Sequence, residues 1–462
     1  MKNSPVVTIY ITNYNYAKYI QQSIESVLKQ TYKDYELIII DDGSTDNSKE
    51  IIEQYREYPN VRIVYQKNKG LNITNNIAMR LASGQYLVRL DADDYWDIEY
   101  LEKVVEKMES DPEIGLVFPD YYYVDSDGKM TGVEKRFNFE EEVTLYDLPA
   151  HGACTLIRLE FLRRLGGYNE SFACQDGYDL WLKFISSHKV ANVNTPLFYY
   201  RRHGNNLTTN EERILSTRKR IKQTFLEDHI GDIPKTVAII PIRSNYIGKE
   251  NWPLFQVDHQ TVVEKKVAML ERVKGIEKIV VTSSEKVLLE TLTDLFKDNS
   301  RVVISERPSS SSQYNESLVA THQYLLSKYA YDFDDIKHVL TVSLEYPLVK
   351  EDTVEELINT MVIFGADATI SVRPNSQMHY QHTGNGLQPI LNQERFTKLE
   401  REALYTGSGG LILTNKEMLI RQNKLIVGRI SHVIVEEKAA LCINSAFNFE
   451  IYKMLIGTGD KL

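Results

Sequence analysis

The chain has 462 residues, which is long enough for two or more domains. Its content of 42% hydrophobic and 26% charged residues is that of a globular protein, and the net charge of −10 argues against nucleic acid as a partner. Three cysteines without metal-ligand spacing predict a reduced protein with no disulfide framework. Because no bilayer-length apolar run or signal-peptide pattern is present, we expect a cytoplasmic location, with contact to the inner face of the membrane left open.

The first half alternates β-branched runs with helical patterns. The predicted strands are "VVTIYI", "ELIII", "VRIVYQ" and "QYLVRL", and apolar residues at three- and four-residue spacing mark helices between them. Such alternation predicts βαβ units and a mostly parallel sheet, in which ligands bind at the carboxyl ends of the strands.

Carboxylates collect where these strands end. The "ELIII" strand runs into Asp41 and Asp42, and "QYLVRL" is followed by four aspartates: Asp91, Asp93, Asp94 and Asp97. Carboxylate oxygens at this edge suit Mg²⁺ or Mn²⁺, which keep open positions for phosphate. Aspartate is also a good helix N-cap, and we assign that role to Asp97, ahead of "IEYLEKVVEKM". For Asp91 and Asp93 the pattern alone leaves helix cap and metal ligand both open.

Three segments carry a family resemblance. In their order and spacing, "TNYNYAKYIQQSIESVLKQTYKDYELIIIDDGSTDNS", "NKGLNITNN" and "GQYLVRLDADD" resemble the family 2 inverting glycosyltransferases with a GT-A fold, over residues 6–206. The resemblance implies a metal-dependent, hexosyltransferase-type enzyme that uses Mn²⁺ or Mg²⁺. It would move a sugar, with inversion, from a nucleotide diphosphate sugar, expected to be a UDP-sugar, to a surface glycan such as capsule or lipopolysaccharide. The acceptor would be a saccharide or a lipid-linked saccharide.

The same resemblance gives roles to individual residues. The residues implied in donor binding are Thr12, Tyr14, Asp41, Asp42, Asp91, Asp94, Arg201 and Arg202. Among them, Tyr14 would lie near the base and Asp94 near the donor sugar. The implied metal ligands are Asp93, Asp91 and His203, the last within "FYYRRHGNNLT", which resembles the closing loop of these enzymes.

The acceptor side is expected in "GGYNESFACQDGYDLWLKF", residues 166–184. Inverting transfer needs a carboxylate that deprotonates the attacking hydroxyl. By the resemblance this base is Asp176, with Asp179 as the fallback, although Asp179 could equally cap a helix that begins at Leu180. Where relatives often carry an Arg before an Asn, this chain has Asn75–Asn76, so we expect a donor-phosphate contact to be missing. His151–Gly152 would belong to the acceptor wall.

A charged helical segment and the linker "DHIGDIPKT" precede a second α/β alternation. We therefore expect two Rossmann-like α/β/α domains, at residues 1–230 and 234–462. The second, from "VAIIPIRSNYIGKENWPLF" onward, resembles more weakly the nucleotidyltransferases that activate sialic acids, and the implied ligand residues are Arg243, Lys249, Arg307 and Glu345.

The second half departs from that family where the chemistry lies. An acidic motif is expected near "CINSAFN", which has no carboxylate, so we expect an inactive or repurposed domain. Two alternatives stay open: a bifunctional enzyme whose second domain makes a CMP-activated sugar, and a non-catalytic scaffold that binds nucleotides. The sequence leaves the transferred sugar, the acceptor linkage and the oligomeric state undetermined.

Overall fold

The computed structural model describes residues 4–203, 211–246, 249–312, 317–375, 377, 379–382, 384, 386–389 and 404–457. The chain forms two compact units, Met1–Ile221 with His379–Glu402, and Lys222–Met378 with Ala403–Leu462. The first division falls inside a helix, whereas the predicted domain boundary lies just after it. Residues 204–208 of the expected closing loop lie outside the described residues, as do residues 313–316 of the second half.

The first unit is built on a nine-stranded sheet. Its strands are β1 (Val7–Asn13), β2 (Tyr35–Asp41), β3 (Val61–Tyr65), β4 (Tyr86–Asp91), β5 (Tyr95–Trp96), β6 (Ile114–Val124), β7 (Met130–Glu134), β8 (Leu156–Arg158) and β9 (Lys189–Arg201). The order is β3-β2-β1-β4-β8-β6-β9-β5, with β7 paired to β6. Strands β1 to β4 are parallel, and β8 is antiparallel to both β4 and β6.

Seven helices accompany these strands. They are α1 (Ile20–Leu28), α2 (Ser48–Glu53), α3 (Leu71–Leu81), α4 (Tyr100–Glu109), α5 (Leu159–Arg164), α6 (Asp176–Ile185) and α7 (Glu211–His229). The predicted βαβ alternation is thus confirmed. The assignment of Asp97 as the N-cap of α4 is wrong by two residues: Glu99 holds that position, and Asp97 instead accepts a hydrogen bond from the Glu99 amide at 3.1 Å.

The register of the central strands brings distant polar residues to one edge. Residues of β1, β2 and β4 are buried almost throughout, as expected for strands covered on both faces. Thr12 pairs with Asp91 across β1 and β4, while Asn13 pairs with Asp41 across β1 and β2. The carboxyl ends of three strands therefore meet at the same edge of the sheet.

The second unit contains a seven-stranded sheet. The strands that complete the chain are β10 (Thr236–Pro241), β11 (Asn245–Tyr246), β12 (Lys249–Glu250), β13 (Gln256–Val257), β14 (Gln260–Thr261), β15 (Ile276–Ser283), β16 (Val302–Glu306), β17 (His338–Val342), β18 (Ala368–Asn375), β19 (Tyr380–His382), β20 (Leu387–Pro389), β21 (Leu404–Asn415) and β22 (Ile430–Ile434). The helices are α8 (Val262–Arg272), α9 (Lys286–Phe296), α10 (Leu318–Lys328), α11 (Glu351–Phe364), α12 (Lys416–Gln422) and α13 (Ala446–Gly457). Strands β11 and β12, β13 and β14, and β19 and β20 form separate two-stranded ladders.

The two large sheets share one arrangement of strands. The order in the second unit is β16-β15-β10-β17-β21-β18-β22, which begins with four parallel strands placed third, second, first and fourth, as in the first unit. Strand β21 is antiparallel to β17 and β18, as β8 is to β4 and β6. In both sheets a parallel pair then follows, β18 with β22 and β6 with β9.

Candidate active site

A buried arginine lies at the centre of the site in the first unit. The guanidinium of Arg89, on β4, forms an ion pair with Asp91 at 3.0 Å and a second, shorter one with Asp176. Both the arginine and the Asp176 side chain are nearly inaccessible to solvent. Arg89 was missed as a site residue, although a charged residue inside the apolar run "YLVRL" is the kind of signal that marks one.

Asp176 is the first residue of α6, where a carboxylate interacts favourably with the helix dipole. Arg89 Nη1 and Asn75 Nδ2 both donate to its Oδ2, the latter at 3.2 Å. Within the described part of the chain no group bonds to its Oδ1. One oxygen of Asp176 is therefore held and the other is available.

The fallback residue Asp179 occupies a different setting. Helix α6 begins at Asp176, so the alternative in which Asp179 caps a helix starting at Leu180 is wrong. Instead Asp179 lies in the first turn and forms an ion pair at 2.8 Å with Lys183, one turn further along. Since this carboxylate is buried and its charge is already matched, the geometry favours Asp176 over Asp179 as a base.

Gly152 and Gly177, which have no side chains, face each other and leave room for the Arg89 guanidinium. A Cβ atom on Gly152 would lie 3.1 Å from Arg89 Nη2 and 3.6 Å from Asp176 Oδ2, and Gly177 faces Gly152 across the same gap. The neighbouring His151 is buried, which lowers its pKa to about 3, and the positive charge of Arg89 acts in the same direction. His151 is therefore neutral at physiological pH.

Two of the predicted metal ligands lie together. His203 Nε2 is 2.9 Å from Asp93 Oδ2, and the imidazole stacks on Tyr19 with ring centroids 5.7 Å apart. The third, Asp91, directs its Oδ1 to Arg89 and accepts a hydrogen bond from Thr12 at 3.3 Å. Burial raises the pKa of Asp91 to about 6, while Arg89 acts in the opposite direction.

Asp94 offers one free buried oxygen. Its Oδ1 accepts from the Arg201 amide at 2.7 Å, whereas its Oδ2 is buried and has no hydrogen-bond partner in the part of the chain that the structure describes. Burial raises the pKa of this carboxyl well above its usual range, and the charge of Asp93 adds to the effect. A buried oxygen without a partner is costly unless a ligand group completes it, which suits the predicted position near the donor sugar.

Arg201, the last residue of β9, and Arg202, the next residue, differ in how exposed they are and in which groups they contact. The Arg201 guanidinium is buried and donates to the carbonyl of Asp93 at 2.8 Å, to the carbonyl of Asp125 and to the side chain of Gln22. Arg202 is exposed and lies over the Tyr123 ring at 4.0 Å. Because Arg201 is engaged in holding the chain, Arg202 is the better placed of the two to meet a phosphate.

The aspartates that follow β2 also have partners within the chain. Asp41 accepts from Asn13 Nδ2 at 2.7 Å and from the Ser44 amide at 2.9 Å. Asp42 accepts from Gln66 Nε2 at 2.7 Å and from two backbone amides, those of residues 69 and 70, at 2.8 and 2.9 Å. Asp42 therefore holds the loop that leads into α3, a structural role that the sequence did not indicate.

The remaining predicted donor and acceptor residues fall at the same edge or on α3. Tyr14, just after β1, is 48% exposed and so is free to contact a base. Asn75 faces Asp176 and accepts from Tyr10 Oη at 3.2 Å, while Asn76 bonds to the backbone of Tyr168. The Asn75–Asn76 pair thus serves the acceptor-side segment in this structure.

The donor atoms of the predicted metal ligands bear on whether a divalent cation fits the site. In the ranges that the structure describes, no three His, Cys, Asp or Glu side chains are arranged to hold a metal ion. Asp93 and His203 nevertheless present a carboxylate oxygen and an imidazole nitrogen to each other, and Asp94 Oδ2 is a further unsatisfied oxygen nearby in the chain. The carboxylate oxygens fit Mn²⁺ or Mg²⁺, and the imidazole nitrogen favours a transition metal such as Mn²⁺ over Mg²⁺.

In the second unit, three of the four predicted ligand residues influence the pKa of Tyr246, and the guanidinium of one of them, Arg243, lies over its ring at 5.5 Å. Burial raises the pKa of Tyr246, the charge of Glu345 acts in the same direction, and Arg243 and Arg307 oppose it. Arg307 donates to the Ile242 carbonyl at 3.1 Å. Lys249 lies instead over the rings of Phe255 and Phe449, at 5.5 and 5.4 Å.

Comparison with known proteins decides the family of the first unit. The Glycosyl transferase family 2 profile matches residues 8–166. The Escherichia coli protein WfaP, a UDP-Glc:alpha-D-GlcNAc-diphosphoundecaprenol beta-1,3-glucosyltransferase, is 34% identical over 236 residues, which are 49% of this chain and 87% of that protein. The chain belongs to glycosyl transferase family 2. The GT-A-like sheet expected for its first unit agrees with that membership.

The chain spans less than a third of the length of some other relatives. Chondroitin synthase from Escherichia coli is 33% identical over 45% of this chain, and the chain spans only 30% of that protein. Among solved structures, Staphylococcus aureus TarS 1–349 in complex with UDP covers 86% of this chain and 98% of that chain, with 15% identity and a TM-score of 0.41, too low to support a functional inference. No helix within the described residues is long and apolar enough to cross a membrane.

Proposed function

We propose that this glycosyltransferase transfers a hexose-type sugar from a UDP-sugar to a saccharide or lipid-linked saccharide of a surface glycan, with inversion at the anomeric carbon. The observation that carries the proposal is the single available oxygen of Asp176, Oδ1: Arg89 and Asn75 hold this carboxylate by its other oxygen, and Arg89 also pairs with Asp91 at the end of β4. The printed name of WfaP, which pairs a UDP-glucose donor with a diphosphoundecaprenol-linked acceptor, supports the choice of donor and acceptor classes.

The reaction follows from the placement of the carboxylates. Asp176 Oδ1 takes the proton from the acceptor hydroxyl, whose oxygen forms a bond to the anomeric carbon of the donor sugar. The bond from that carbon to the diphosphate oxygen breaks on the opposite face, and UDP leaves. Asp94 Oδ2, buried without a partner, can accept a hydrogen bond from a hydroxyl of the donor sugar. Tyr14 is exposed where a base could stack.

Asp93 and His203 would hold the divalent cation, with Asp91 able to join them. The ion would offset the negative charge that develops on the departing diphosphate. Arg202, exposed beside His203 in the chain, would add positive charge on the same side. Arg201 keeps the Asp93 backbone in place through its hydrogen bond to the Asp93 carbonyl.

The proposal is tested by binding and by transfer. Calorimetric titration of UDP, CDP and GDP into the full chain, with and without Mn²⁺, should show Mn²⁺-dependent binding of UDP that Asp93→Ala abolishes. Asp111→Ala, which removes a partly exposed aspartate paired with Lys189, is the matched control and should bind as the wild type does. Binding of UDP that is unchanged by Mn²⁺ and by Asp93→Ala would overturn the assigned metal ligands.

Transfer is measured with UDP-glucose and UDP-N-acetylglucosamine as donors and N-acetylglucosamine-α-diphosphoundecaprenol as acceptor. Asp176→Asn should bind UDP normally yet transfer nothing, whereas Asp179→Asn should retain activity if it folds. Nuclear magnetic resonance of the product should show a β linkage formed from the α-linked donor. An α linkage would rule out the inverting mechanism.

For the second unit we propose ligand binding without nucleotidyl transfer, around Tyr246, Arg243, Arg307 and Glu345. The strand order that it shares with the first unit and the two arginines near Tyr246 support this. A bifunctional enzyme that makes a CMP-sugar and a purely non-catalytic scaffold are the alternatives. Release of pyrophosphate from CTP and an acidic sugar, surviving Asp93→Ala but lost in Arg243→Ala, would establish the bifunctional enzyme instead.

A further inference from the structure

The donor-side and acceptor-side carboxylates of the first unit share one positive charge. Asp91 ends β4 and Asp176, 85 positions later in the sequence, begins α6, yet both contact the guanidinium of Arg89. Arginine suits this role because its planar fork presents several N–H groups in fixed directions and stays charged at all physiological pH values. A lysine ammonium, a point charge on a flexible stem, could not hold two carboxylates in one geometry.

The surroundings of Arg89 leave it little freedom. Its side chain is only 6% exposed, and the missing side chain of Gly152 provides the space next to Nη2. On the other side of Asp176, Asn75 Nδ2 donates to the same Oδ2, and the Tyr10 hydroxyl donates to Asn75 Oδ1 at 3.2 Å. Asp176 is thus fixed from two directions through one oxygen.

We propose that Arg89 is a positioning residue, which holds Asp176 by Oδ2 so that Oδ1 faces the acceptor hydroxyl, and which couples that base to Asp91 on the donor side. The inference rests on the proposed function, since it takes Asp176 to be the base. Arg89 touches neither substrate in this scheme and acts only through the two carboxylates. Asn75 supports the same orientation from α3.

The kinetic test compares Arg89→Lys with a matched control. Arg158→Lys makes the same change in the neighbouring strand β8, where Arg158 donates to the backbone carbonyls of Ile114, Met108 and Asp111 and, among the described residues, to no carboxylate. Because a small misplacement of a catalytic group can cost about 100-fold in rate, we expect Arg89→Lys to lower kcat about 100-fold. The acceptor KM and the Mn²⁺-dependent UDP Kd should change by less than about fivefold, a split between kcat and binding that general loss of structure would not produce.

Several kinetic outcomes are decisive. If Arg89→Lys retains wild-type kcat while Asp176→Asn abolishes transfer, the proposed function stands and the role of Arg89 is wrong. If Arg158→Lys loses as much activity as Arg89→Lys, the effect is structural and the positioning role is also wrong. If Asp176→Asn transfers sugar at the wild-type rate, the assignment of the base fails and the positioning role falls with it.

A second measurement requires no substrate. The melting temperature of the full chain is measured for Arg89→Gln, Asp176→Asn and the double variant. Arg89→Gln leaves Asp91 and Asp176 both without their cation, whereas the double variant leaves only Asp91 in that state. We therefore expect each single variant to melt lower than the wild type and the double variant to melt no lower than the worse single variant. Additive decreases would show that the two side chains are not coupled.

Discussion

His203 Nε2 lies 2.9 Å from Asp93 Oδ2, although 110 residues separate the two in sequence. The contact joins the end of β9 to the loop after β4, and the imidazole is held by stacking on Tyr19. A carboxylate oxygen and an imidazole nitrogen directed at each other are suited to sharing a divalent cation.

Replacement of His203 should therefore weaken binding that depends on metal. We expect His203→Asn to lower Mn²⁺-dependent UDP affinity by at least ~10-fold, the lower end of losses seen when a metal site is disturbed, and to leave metal-independent binding unchanged. Calorimetric titration measures both. His188→Asn, which changes a histidine stacked on Phe161 in the same unit, is the control and should bind UDP as the wild type does. Equal affinities for the two variants would contradict a role of His203 at the metal.

Gly152 should not tolerate a side chain. Its Cβ would lie 3.1 Å from Arg89 Nη2, so we expect Gly152→Ala to displace the guanidinium and to lower kcat about 10-fold or more, given the sensitivity of catalysis to small displacements. Steady-state kinetics with saturating donor measures this. Gly407→Ala, where a Cβ would meet no atom within 4 Å, is the control. Unchanged kcat in Gly152→Ala would mean that the space beside Arg89 is not required.

Asp42 should contribute to stability before any nucleotide binds. Its two oxygens accept from one side chain and two backbone amides, and Asp42→Ala would leave those amides unpaired. At a net ~0.5–1.5 kcal/mol for each hydrogen bond, we expect about 2 kcal/mol of lost stability. This corresponds to ~4–8 °C in the melting temperature of a domain of this size. Asp34→Ala, at an exposed position of the same unit, should melt as the wild type does. If Asp42→Ala without nucleotide also melts as the wild type does, Asp42 does not hold the loop that leads into α3.

Lys266 should make the stability of the chain depend on pH. It is buried on α8, donates to the Tyr346 carbonyl at 2.9 Å, and its pKa is lowered by burial to about 7. In the unfolded chain a lysine pKa is near ~10.4. Between these values the unfolded chain binds a proton that the folded chain does not, so stability rises with pH across this window.

Lys266→Met removes the amine that binds this proton. We expect it to raise the melting temperature by ~2–4 °C, about 1 kcal/mol, below pH 7, with the gain disappearing as the pH approaches 10. The Tyr346 carbonyl, which loses its donor, limits the gain. Lys265→Met, at the adjacent partly exposed lysine, should show no such dependence. A gain that is the same at pH 6 and pH 10 would contradict titration of Lys266.

Most of the elements in the first half were predictable, because the periodicity of buried residues reports directly on strands and helices. The aspartates after β2 and β4 were also predictable as a group, since parallel strands end at a common edge. The first residues of the helices were harder to predict: Asp97 and Asp179 both have side chains that commonly act as N-caps, yet neither residue is an N-cap here. Which polar residue caps a helix depends on where the chain turns, and that is set by packing.

Short stretches of sequence were enough to predict the alternation of strands and helices, the family, and the residue types available for metal and base chemistry. These are local properties, carried by short runs such as "GQYLVRLDADD". Which side chains meet became visible only in the folded chain. Arg89 pairs with both Asp91 and Asp176. Arg201 donates to backbone carbonyls, and Asn75 donates to Asp176. The physical reason is that buried charges must be matched by groups brought from distant parts of the chain, and such partners leave no local pattern.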